Sequence, residues 1–60
     1  MADKIILWEI KIGSMWVEVT ERTFVNTMRI WCDHMFMCNG LAYFFNKEGC
    51  IVGKMRLKEV

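Results

Sequence analysis

Hydrophobic and polar positions alternate through the first third of the chain. Over residues 4–12, Trp8, Ile10 and Ile12 alternate with Glu9 and Lys11. Over residues 15–20, Val17 and Val19 alternate with Trp16 and Glu18. A period of two places alternate side chains on opposite faces, which is the pattern of a strand with one face toward a core. Gly13-Ser14 lies between the two segments, so they read as a hairpin. The last third repeats the theme. Residues 41–45 and 50–58 flank Asn46-Lys47-Glu48-Gly49, a turn built on Asn and Gly. In the final segment Met55 and Leu57 point one way, and Lys54, Arg56 and Lys58 point the other.

The middle carries two periods at once. At helical spacing, Phe24, Val25, Met28, Trp31, Cys32, Met35, Phe36 and Cys38 share a face, and Gly40 could stop such a helix. Asn26, Arg29, Asp33 and His34 lie elsewhere, with Ile30 and Met37 as misfits. Composition argues for a strand. Residues 23–38 contain no Ala, Leu, Glu, Gln or Lys and are rich in poor helix formers. Asn39-Gly40 between apolar runs is also a strong hairpin signal. As a strand, residues 28–38 set Met28, Ile30, Cys32, His34, Phe36 and Cys38 on one face, with Arg29, Trp31, Asp33, Met35 and Met37 on the other. The expected fold is mainly β, a small antiparallel meander curled into a partly open barrel. The alternative is α+β: a hairpin, a helix and a second hairpin.

Composition adds a partner to this picture. Sixty residues make a single small domain, residues 1–60. A domain of that size buries only about 60% of the surface its unfolded chain exposes. Yet 55% of its residues are hydrophobic, with three Trp, four Phe and six Met. One small core cannot take them all, so apolar area is expected at the surface, where it suggests an interface. Self-association, as a dimer first, is the expectation. Trp16, Trp31, Met35 and Met37 are the candidate contacts, since aromatics and Met are enriched in interfaces.

Charge weakens the case for nucleic acid. Eight Lys or Arg stand against seven Asp or Glu, whereas nucleic-acid binders more often carry a basic surplus. The stripe Lys54, Arg56 and Lys58, with Trp16, Trp31 or Tyr43 to stack bases, is kept as an alternative single-strand site. Its plainer role is a solvated face or a defended sheet edge. No run of 18 apolar residues is present, so no membrane span is expected. Met1-Ala2-Asp3-Lys4 leads into an apolar run of about four residues, too short for a signal-peptide core. A cytoplasmic setting is expected, and three cysteines, an odd number, agree with it.

The stretch Cys32-Asp33-His34-Met35-Phe36-Met37-Cys38 holds the residues most suggestive of chemistry. Cys32, His34 and Cys38, with Cys50 as a fourth ligand, would suit zinc. No Cys-x-x-Cys is present to aim two thiolates at one ion, and Cys32 and Cys38 stand about 20 Å apart along a strand. Buried cysteine acting as a small hydrophobe is the stronger reading. A thiolate–imidazole pair oriented by Asp33 is weaker again, because catalytic pairs are normally assembled from distant segments. Glycine-rich phosphate loops and nucleophile elbows are absent from the sequence. The expectation is a non-enzymatic protein-interaction or regulatory module that self-associates, without a cofactor. Single-strand binding and a Cys/His zinc domain are the alternatives.

Overall fold

The computed structural model describes residues 3–59. Met1 and Ala2, where the reading of a leader begins, lie outside the described residues. Strand β1 (Lys4–Ile12) turns through Gly13-Ser14 into β2 (Met15–Val19). Helix α1 (Glu21–Trp31) follows, and then come β3 (His34–Cys38), β4 (Leu41–Phe45) and β5 (Ile51–Glu59). The five strands form one antiparallel sheet in the order β2-β1-β5-β4-β3. It is open, not closed into a barrel: β2 and β3 are its edges. The two nine-residue strands, β1 and β5, lie side by side at its centre, in register from Lys4↔Glu59 to Ile10↔Gly53.

The mainly β, open antiparallel expectation holds, and the ambiguous middle divides between its two readings. Residues 21–31 are helix and residues 34–38 are strand. Poor helix formers are overruled by capping and packing. The Thr20 hydroxyl accepts from the Thr23 N–H at 3.2 Å, satisfying one orphan donor. Glu21 in the first turn and Arg29 in the last match the helix dipole. Phe24, Met28 and Cys32, spaced by four, then fall on one face toward the sheet.

The helix stops well before Gly40. Cys32 takes extended dihedrals, φ −85° and ψ 132°, and the Asp33 N–H donates to the Phe45 carbonyl at 2.7 Å. The chain has by then joined the sheet. Asn39 (φ 49°) and Gly40 (φ 78°) instead form the type I′ turn between β3 and β4. A strand beginning at Met28 is likewise corrected, because Met28 and Ile30 belong to α1.

One face of the sheet carries the main buried cluster, while Leu7, also buried, lies on the other face beside Arg56. Ile10, Phe24 and Met28 are buried together, with Trp8, Val17, Val19, Cys32, Phe44 and Val52 packed around them. The Phe24 ring lies 5.1 Å from Trp8 and 5.0 Å, edge-on, from Phe44. Glycine makes this approach possible. A Cβ built on Gly53 would stand 2.9 Å from the end of Met28 and 3.0 Å from Phe24. At the far turn, the Asn46 side-chain oxygen accepts from the N–H groups of Glu48 and Cys50, at 3.0 and 2.9 Å. This is the Asx chemistry expected of Asn in a turn.

Candidate interaction surface

The core is small and the sheet outreaches it. The helix has 11 residues, about 16 Å at 1.5 Å each, and the molecule is 41 Å long. Its radius of gyration is 11.7 Å, where a compact chain of this length would have about 10.4 Å. The accessible surface is 4618 Å², against about 4,100 Å² for a compact monomer of 7.2 kDa. Many large side chains without charge are left on this surface. Ile5, Ile6, Ile12, Met15, Ile30, Met35, Phe36, Met37 and Leu57 are among the large hydrophobic residues left exposed.

Strand β3 concentrates this surplus. All five of its residues, His34 to Cys38, are exposed. Met35 retains 49%, Phe36 59% and Met37 61% of their surface. The strand contains no Asp, Glu, Lys or Arg, no proline and no glycine. Those are the devices by which natural edges avoid stray pairing. The other edge, β2, carries Glu18, and its Trp16, Val17 and Val19 are half-buried.

Cross-strand register assigns each side chain a face. Met35 pairs with Phe44 and Met37 with Ala42, so both methionines lie on the helix side of the sheet. Phe36 pairs with Tyr43, and Tyr43 with Lys54, on the open side. His34 is also on the open side, stacked on Phe45 at 5.4 Å, with its Nδ1 3.4 Å from the Asp33 carboxylate.

The four contacts expected from the sequence are therefore not one patch. Met35 and Met37 are neighbours on β3. Trp31 ends α1 and is partly exposed. Trp16 is on β2, at the opposite edge of the sheet, with the Lys54 ammonium 4.3 Å and the Lys11 ammonium 5.6 Å from its ring. Phe36, between the two methionines, is as exposed as they are, yet it is not among the residues the sequence singles out. The strand reading sets it on a face with Met28 and Ile30, which belong to α1. The signal that could have found it is the uncharged run Met35-Phe36-Met37 directly before an Asn-Gly hairpin turn.

The basic stripe is where the alternation put it. Lys54, Arg56 and Lys58 share the open face with Leu7, Glu9 and Lys11 of β1. Arg56 is engaged, its Nε donating to Glu9 Oε1 at 3.1 Å. Lys54 sits over Trp16. Glu9 and Glu18 lie opposite one another on the same face, so it carries both signs.

The metal candidates are spread out. Cys32 caps α1 and its thiol donates to the His34 carbonyl at 3.3 Å. Cys38 is at the other end of β3 from His34, about 13 Å along the strand, and Cys50 precedes β5. All three cysteines are free. Among the described residues no three His, Cys, Asp or Glu side chains converge as a metal site would require. No helix of the described residues is long and apolar enough to cross a membrane. No family model matches this chain, and neither a curated protein nor a solved structure matches it.

Proposed function

We propose that this domain is a non-enzymatic interaction module, set in the cytoplasm, that works by self-association. The observation that carries the reading is β3, an edge strand exposed at every position, apolar over Met35-Phe36-Met37 and free of charged side chains. Exposed apolar surface of this kind is a liability unless a partner covers it. The surface surplus supports the same reading. Roughly 500 Å² per chain lies beyond the compact expectation for this size. Sedimentation equilibrium across the micromolar range is the test. The expected result is a reversible dimer. A monomer at every concentration would end the self-association reading.

The open face supports a second reading, single-stranded nucleic acid. Its aromatic pair Phe36 and Tyr43 is continued across the sheet by Lys54, and Lys58 lies further along β5. Bases could stack on such rings while phosphates meet the lysines. The self-association reading predicts no change in tryptophan fluorescence on adding a single-stranded oligonucleotide at about 50 mM salt, where weak electrostatic binding is most visible. Binding that weakens with salt, and is lost when Lys54, Arg56 and Lys58 are replaced by Ala, would move the function to this face.

A further inference from the structure

We infer that the partner of β3 is β3 of a second copy, paired antiparallel about a two-fold axis that passes through Phe36. This rests on the self-association reading and adds to it a surface, a register and a symmetry. The register follows from the hairpin. In the type I′ turn Cys38-Asn39-Gly40-Leu41, the first and last residues are joined by the closing hydrogen bond. The backbone groups of Cys38 are thus turned toward β4. Antiparallel ladders alternate, so Phe36 is also turned toward β4. The N–H and C=O groups of Met35 and Met37 point away from it, into solvent.

Those four groups are self-complementary. With Phe36 opposite Phe36 of the second copy, Met35 of each chain faces Met37 of the other. Each such pair exchanges two N–H···O=C bonds, and every outward group of Met35 and Met37 is satisfied in both chains. A shift of one residue would set side chains of one face against the other and put the outward N–H and C=O groups out of line. Side chains agree with this register. Phe36 would meet its own copy on the open face, and Met35 would meet Met37 on the helix face. His34 would meet Cys38. No pair sets like charges together, because the strand contributes no carboxylate, ammonium or guanidinium. The contact is isologous and closes after two copies, giving one ten-stranded sheet with a helix on each half. Edge β2 lacks these properties: it carries a carboxylate, Glu18, and its Trp16, Val17 and Val19 are half-buried.

The pairing makes a geometric demand. Phe36 and its copy form a non-hydrogen-bonded pair, whose Cα atoms are about 4.5 Å apart, within the range a disulfide spans. The test is oxidative cross-linking of full-length Phe36→Cys in a chain whose exposed Cys38 and Cys50 are serine. Val17→Cys in the same background, which keeps Glu18, is the control for the other edge. The expected result is that most of the Phe36→Cys protein becomes a covalent dimer, while the Val17→Cys protein and the parent background do not. A second variant keeps all three native cysteines. Met37→Lys should weaken the wild-type dimer by at least about tenfold in sedimentation, with the monomer still folded, because a lysine on a free edge opposes pairing. A wild-type dimer that cross-links through Val17→Cys, or through neither position, overturns this inference and leaves self-association standing. A wild-type monomer at every concentration overturns both.

Discussion

Phe24→Ala is expected to remove much of the domain's stability. Phe24 is the most deeply buried large side chain among the described residues, at 2% exposure. It is the point where helix and sheet meet, since its ring touches Trp8 of β1 and Phe44 of β4 and faces Gly53 of β5. Removing a buried phenyl costs about 3–5 kcal/mol, as lost transfer energy plus a cavity. A 60-residue domain is held by about 3–9 kcal/mol in all. The cost therefore matches much of the stability, and the surrounding rings cannot collapse inward without breaking sheet register. The far-ultraviolet circular dichroism melt should move down by at least about 12 °C, at about 4 °C or more per kcal/mol. Because dimerisation stabilises by mass action, the measurement belongs at low micromolar concentration. A cooperative melt within a few degrees of wild type would mean that α1 contributes little to the fold.

How far the fold can be read from the sequence depends on the element. The turns were legible because each rests on a residue with a local reason: Gly13, Asn39-Gly40 and Asn46 all adopt or support conformations that other residues resist. The faces of β1, β2 and β5 were legible because Glu9 and Lys11, Glu18, and Lys54 respectively interrupt their apolar runs in step with a period of two. The middle was not, because Thr23 to Cys38 satisfies both periods at once and propensity points to the wrong one over residues 21–31. What decides it is tertiary. Thr20 caps the helix, and the helical face through Phe24 and Met28 finds a gap in the sheet at Gly53. A lone Gly inside an alternating strand is a known sign of close backbone approach. Linking Gly53 to Phe24 and Met28 would have favoured the helix. The candidate site was half legible. Met35 and Met37 fall on the exposed strand, but Trp16 lies at the other edge, since strand order cannot be read from local pattern. That β5 inserts between β1 and β4, and so leaves β3 as an edge, is a property of the whole sheet.

Gly53→Val is expected to lower the melting temperature by roughly 10–15 °C, the consequence of about 2 kcal/mol in a domain of this size. Two effects oppose each other at this position. Valine suits a strand better than glycine, by up to about 1 kcal/mol. Against that, even the first added carbon would meet Met28 Cε and Sδ at 2.9 Å and Phe24 Cε1 at 3.0 Å. The end of Met28 can swing aside, because a thioether is flexible. Phe24 cannot, being held between Trp8 and Phe44. The two further methyl groups of valine force α1 off the sheet or push β5 out of register, and overpacking of this kind costs about 1–3 kcal/mol. Gly53→Ala separates the two contacts. It is expected to cost less than valine, and its cost should shrink when Met28 is also made Ala, because the clash with the thioether disappears while that with Phe24 remains. The double-mutant cycle should then show a favourable coupling of about 1 kcal/mol. A rise in melting temperature for Gly53→Val would mean that strand propensity outweighs the helix–sheet contact, and that α1 rests on the sheet more loosely than these distances require.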